Sequence, residues 1–198
     1  MSLVERAKSV CLSPDSAWAT IAAEHAEAPT LIVGYVLPLA GAAAVAQAIG
    51  LAVIGQSFGA FGTYRLPFGS AIGMAVASVV FAAVFVVVLS MIIDALAPTF
   101  GAEKNREQAL KVAVYSATPA WIAGVLQIVP ALGVLALVGA LYALYLLYLG
   151  LPRLMKSPAD KTIGYLGAVI ACAVVIGIVG SMLMASISSP DLSAAVLP

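Results

Sequence analysis

From Leu66 to Ile93 the chain runs 28 positions without a charged residue. A hydrocarbon core about 30 Å thick is crossed by roughly 20 helical residues, so this stretch is long enough to span a bilayer. Lipid offers no water to unpaired backbone groups, which leaves the helix as the conformation for such a run. A second uncharged stretch covers the 41 residues between Lys111 and Arg153. It is too long for one crossing and divides at Pro130 and Gly133. The short loop between the two stretches gathers Lys104, Arg106 and Lys111. Only 9% of the 198 residues are charged and 63% are hydrophobic, whereas a soluble domain carries about 25% charge. Folding in water would leave too much apolar surface exposed, so the chain is read as an integral membrane protein. Nine basic and nine acidic residues cancel, and no net charge favours nucleic acid.

Applied along the chain, this logic gives an all-α polytopic membrane protein with five transmembrane helices. The expected spans are Pro29 to Leu51 (bent at Pro38), Gly69 to Leu96 (closed by Pro98), Glu107 to Val129, Ala131 to Leu151, and Thr162 to Ile187. Gly50 to Phe68 reads as a Gly-rich connector. The expected organisation is an N-terminal segment over residues 1–28, a five-helix domain over 29–187 and a short external tail over 188–198. With the N-terminus inside, the inner segments hold eight of the nine basic residues and only Arg65 lies outside. The positive-inside rule therefore predicts the N-terminus inside and the C-terminus outside.

Residues 1–28 lack the pattern of a signal peptide, because the first long apolar run begins only near Pro29. Leu3, Val4, Ala7, Val10 and Cys11 recur at helical spacing, and Ser13-Pro14 reads as an N-cap with proline at the first helical position. The helix that follows puts Trp18 and Ile21 on one face. Two placements stay open for these amphipathic helices: along the membrane surface, with Trp18 and Ile21 as anchors, or packed as a cap on the bundle's end.

The polar chemistry at membrane depth is a cluster of Asp94, Lys111, Tyr115, Ser116, Thr118 and Pro119. Asp94 lies near the C-terminus of the second span, the unfavourable end of the helix dipole for an anion. It also lies near the headgroup boundary, where an unpaired charge is costly. Both penalties call for a partner, and Lys111 and Tyr115 are the nearest candidates by topology. Pro119 removes a hydrogen bond in mid-helix, and Ser116 and Thr118 are placed to re-satisfy the freed carbonyls. Gly69, Gly73 and Ala77 on the second span, with Gly177 and Gly180 on the fifth, form small-residue faces suited to close helix packing. Tyr142 and Tyr145 are expected to pack between helices, with Tyr148 at the interface.

Gly55-Gln56-Ser57-Phe58-Gly59 has the G-x-S-x-G spacing of a nucleophile elbow. It lacks the strand-turn-helix context and the downstream acid and histidine, since the one histidine, His25, lies upstream. His25, Glu24 and Glu27 do not share a helix face as metal ligands would. Cys11 and Cys172 lie at different depths and do not suit a disulfide. No catalytic residue, metal site or cofactor is assigned.

Taken in order, Leu12-Ser13-Pro14, Trp18, Ile21, the segment Ile93-Asp94-Ala95-Leu96-Ala97-Pro98-Thr99-Phe100-Gly101, Ala109-Leu110-Lys111, Tyr115-Ser116-Ala117-Thr118-Pro119 and Tyr145-Leu146-Leu147-Tyr148-Leu149-Gly150-Leu151 resemble the prokaryotic branch of the Yip-domain family of Ypt/Rab-GTPase-interacting membrane proteins. The resemblance covers nearly the whole chain. It implies five spans, a cytoplasmic N-terminus and a bacterial inner membrane. Eukaryotic members are linked to Rab proteins through a longer N-terminal region than the 28 residues here. Two functions follow as expectations: a non-enzymatic membrane organiser or adaptor, or a small-solute or ion conduit lined by spans two and three around Asp94 and Tyr115. The expected partners are the lipid bilayer and other membrane proteins or a second copy of the chain, with no nucleic acid.

Overall fold

The structure, a computed structural model, describes residues 1–57 and 62–188. Two short helices, α1 (Leu3–Leu12) and α2 (Pro14–Ala23), precede five apolar helices long enough to cross a membrane. These are span one (Ala28–Ile54), span two (Phe68–Phe100), span three (Arg106–Ile128), span four (Pro130–Leu154) and span five (Ala159–Leu183). The protein is an all-α, five-span membrane protein, and the external tail expected from Ser188 onward lies almost wholly outside the described residues.

Local sequence explains the breaks within the spans. Pro38 has no amide hydrogen to give, and just before it the helix widens into a π turn over Ile32–Val36, with the Leu37 amide donating to the Ile32 carbonyl. Pro98 sits in the tight turn Ala97–Phe100 that ends span two, and Gly101 follows with φ 70°, the left-handed end that glycine tolerates. Span three begins at Asn105, whose side chain accepts from the Gln108 amide at 3.1 Å. It is broken at Ala117, and Pro119 falls in the first turn of the second half. The expected loop after Leu51 is shorter than read. Helix continues to Ile54, and β1 (Gln56–Ser57) then pairs antiparallel with β2 (Thr63–Tyr64).

Span three is the hub, touching spans one, two and four, while span five leans on spans two and four. About 61% of its apolar window is buried against protein, compared with 22% or less for each other span. The buried core is concentrated in the half of the bundle nearest α1 and α2. It includes Tyr35, Val86, Ile93, Val112, Val114, Leu146, Leu151 and Tyr165. In the opposite half the spans turn apolar side chains such as Val76, Val134, Val175 and Leu183 outward, as lipid requires.

Small residues set the helix spacing, but mostly not the expected ones. Gly69 and Gly73 have nothing within 4 Å of where a side chain would begin, and neither has Gly177. Among the expected glycines only Gly180 receives a neighbour, the ring of Phe81. The close crossings are instead at Gly139, where a Cβ would lie 2.7 Å from the Pro119 carbonyl, and at Gly124, 2.9 Å from the Ala43 side chain.

Candidate functional site

α1 begins with a capping box, in which the Ser2 hydroxyl accepts from the Glu5 amide and the Glu5 carboxylate accepts from the Ser2 amide. Those hydrogen bonds hold the Glu5 carboxyl below its ordinary pKa. α2 begins at Pro14 as expected, yet Ser13 makes no side-chain cap, because the same residue also terminates α1. The two helices pack on span four and on the second half of span three.

This docking settles the two open placements. Trp18 is wholly buried and Ile21 nearly so, so neither touches lipid as a membrane anchor would. The Trp18 indole lies on Gly150 of span four, where a Cβ would stand 3.0 Å from the ring. It also meets the edge of Tyr115 at 6.5 Å between centroids. The apolar side chains that α1 leaves outward are Val4 and Leu12, 71% and 70% exposed. Residues read as surface anchors are thus the packing face of a cap.

Polar contacts fasten the cap. The Lys111 ammonium, 1% exposed, donates to the Glu107 carboxylate at 2.9 Å, to the Ile21 carbonyl at 3.3 Å and to the Glu24 carbonyl. An ammonium has three donors, and all three are used. Glu107 also accepts from the Ala26 amide at 2.9 Å and pairs with His25 at 2.8 Å. The Arg6 guanidinium grips Glu24 at 2.6 Å and lies 5.8 Å over the Tyr115 ring. Arg153 pairs with Asp15, and the Tyr142 hydroxyl donates to the Cys11 carbonyl at 2.7 Å. Burial there pushes the Cys11 thiol above its ordinary pKa. Tyr142 packs as expected, whereas Tyr145 does not and is about as exposed as Tyr148.

The polar cluster expected around Asp94 divides into two places. Tyr115 is enclosed by Trp18 and Tyr35, the latter 4.9 Å away, and the Thr118 hydroxyl bonds the Tyr35 hydroxyl at 2.9 Å. Thr118 is therefore turned to Tyr35 and not to a carbonyl freed by Pro119. The Ser116 hydroxyl is buried with no hydrogen-bond partner among the described residues. Asp94 lies apart, on the floor of a cavity of about 420 Å³ between spans two and three, lined also by Ser90, Met91, Lys104 and Arg106. Neither Lys111 nor Tyr115 is its partner. The nearest cation is Arg106, whose Nε stands 3.8 Å from Oδ2 on a side chain 92% exposed. That separation is an ion pair without a hydrogen bond. The second oxygen, Oδ1, is buried with no hydrogen-bond partner among the described residues, a condition that costs about 1–3 kcal/mol for a buried acceptor and more when it is charged.

Topology missed these partners because Lys111 sits one helical turn beyond Glu107 and points to α2, while Arg106 starts the helix on the side of span two. The i, i+4 spacing of Glu107 and Lys111 was the available signal. Tyr165 also went unread: its hydroxyl donates to the Ile93 carbonyl, and its ring stacks on Phe100 at 5.3 Å. At the opposite end Gln47 donates to Gln127 at 2.9 Å beside a hollow of about 440 Å³. Gly55 and Ser57 lie at the hairpin, and Phe58 and Gly59 of the elbow-like motif lie outside the described residues. Among the described residues no group of three His, Cys, Asp or Glu side chains is placed to hold a metal ion.

A family model for the Yip1 domain matches residues 8–182, from within α1 to the last turn of span five. Comparison with curated proteins and with solved structures gives no match.

Proposed function

The chain belongs to the Yip1-domain family, and from that premise we propose that it is a non-enzymatic organiser of other membrane proteins, presenting its charged end to them. The observation that carries this reading is the fastening of α1 and α2 to the bundle by Lys111, Arg6, Arg153 and Trp18. A segment held at so many points is a fixed surface and costs little ordering entropy when a partner binds. The six ion pairs among the described residues all lie at this end. The positive-inside count favours the cytoplasmic side for it, and the resemblance of the motifs to the prokaryotic branch of the family supports a bacterial inner membrane. In this reading residues 1–28 form the cap, 29–187 the membrane domain and 188–198 an outer tail. The small-residue face of Gly69, Gly73 and Ala77 is left for a neighbouring helix.

The conduit reading has less support. The hydroxyls that would line it with Asp94 are placed elsewhere, that of Thr118 on Tyr35 and that of Ser116 outside the Asp94 cavity. Photo-crosslinking in native membranes tests the organiser reading, with the probe at Glu5 or Lys8 on the outer face of α1 and at Val175 on span five as control. Discrete protein adducts from each α1 position, lost when the charge of the other of the two residues is reversed, are expected. Lipid adducts alone at every position would contradict it. Cysteines at Lys104 and Lys156 should label from the cytoplasm and one at Thr63 from the other side. Labelling of all three from one side would end the assigned topology.

A further inference from the structure

The cavity at Asp94 has a composition that neither the cap nor the adaptor reading uses. Its floor is a carboxylate, 4% exposed, with one oxygen lacking a hydrogen bond among the described residues. Its rim carries two exposed cations, Lys104 and Arg106, and its remaining walls include Val87 and Met91. Along span two, Val80, Val84 and Met91 are exposed apolar residues spaced three or four apart with Val87. They form one helical ridge that leads to the cavity. A ridge facing lipid therefore ends in a pocket with an anionic floor and a cationic rim, near the last turns of a membrane-spanning helix.

A lone inorganic cation suits this pocket poorly, because two positive charges stand at its mouth and one carboxylate is its whole anionic complement. An anion alone would face Asp94. The arrangement fits a molecule that carries both charges close together and an apolar tail. The carboxylate that lines the cavity receives no hydrogen bond from Arg106 and asks for a donor, which a quaternary ammonium lacks and a primary ammonium has threefold. We propose that this cavity is a headgroup site for a phospholipid bearing a primary amine, of the phosphatidylethanolamine type. Its ammonium donates to Asp94, its phosphate meets Lys104 and Arg106, and an acyl chain lies on the Val80–Met91 ridge. The Arg106 guanidinium, mostly exposed and not hydrogen-bonded to Asp94, is free to turn to the phosphate. The site goes beyond the organiser reading and stands whether or not that reading holds.

The test is retention of lipid by the purified full-length protein in native mass spectrometry. The probes are phosphatidylethanolamine, phosphatidylcholine and phosphatidylglycerol with matched acyl chains, and chain-free glycerophosphoethanolamine. Wild type should hold phosphatidylethanolamine about tenfold more tightly than the choline lipid, the scale of charge-assisted hydrogen bonds that only the primary amine can make. Asp94→Asn should bring the two to parity. Lys104→Glu with Arg106→Glu, both at exposed positions, should lower retention of phosphatidylethanolamine and phosphatidylglycerol while the fold survives. Equal retention of the ethanolamine and choline lipids by wild type would overturn the proposal, as would an amine preference kept by Asp94→Asn or a retention of phosphatidylethanolamine unaffected by the rim reversal. Competition by the chain-free headgroup as strong as by whole lipid would assign the site to a soluble phosphoamine instead.

Discussion

Lys111 and Asp94 are both buried charges near the same end of the bundle, but their surroundings differ. Lys111 spends each of its donors on an acceptor, a carboxylate and two backbone carbonyls from another segment of the chain. Asp94 has one cation at 3.8 Å and an oxygen with no hydrogen bond among the described residues. The first arrangement over-determines its neighbours and is what a latch needs. The second leaves electrostatic work undone beside an open cavity, which is the condition under which a ligand gains affinity. Burial of a charge alone does not separate structural from binding roles; the count of satisfied hydrogen bonds does.

The comparison is broken most severely from the Lys111 side. Lys111→Met keeps the volume and removes the ammonium, leaving two carbonyls without their donor and Glu107 with only Ala26 and His25, and should cost about 3 kcal/mol, measured by thermal unfolding in detergent. A loss below about 0.5 kcal/mol would place Lys111 among ordinary surface pairs. A smaller effect is expected where Trp18 meets span four. Gly150→Ala puts a methyl group 3.0 Å from the indole, closer than ordinary van der Waals contact, and over-packing of this kind should cost about 1–2 kcal/mol with faster proteolysis of residues 1–27. Asp94→Asn sharpens the contrast, since its ion pair with an exposed guanidinium contributes little. The change should move stability by less than about 1 kcal/mol in lipid lacking primary amines. The smallest effect concerns Cys11. Burial disfavours its thiolate, so maleimide labelling at neutral pH should lag behind that of a free thiol and accelerate as pH rises. Equal rates would mean that α1 leaves the bundle.

The spans were legible because length and hydropathy are enough to require a helix in lipid. The prolines also announced themselves, since Pro38 and Pro119 sit where the helices depart from α geometry. What the cap rests on was harder to read. The period that put Trp18 and Ile21 on one face is the same whether that face meets lipid or protein. Only Gly150, 132 positions later, makes room for the indole. Helix-packing glycines were misjudged for a similar reason. Gly69 and Gly73 have the favourable spacing, but so do Ala120 with Gly124 and Gly139 with Ala143, and which pair becomes a contact depends on where the spans cross. Asp94 was identified by its own costs, helix end and depth, but its partner depended on which way the next helix turned.

Hydrogen exchange of the α1 and α2 amides, with the protein in lipid nanodiscs, tests most directly the claim that these two buried charges do different work. Residues 3–23 should be equally protected in wild type and in Asp94→Asn, and should exchange about 100-fold faster in Lys111→Met, the equivalent of the latch energy above. Unchanged protection in Lys111→Met, or equal deprotection by both substitutions, would contradict the account.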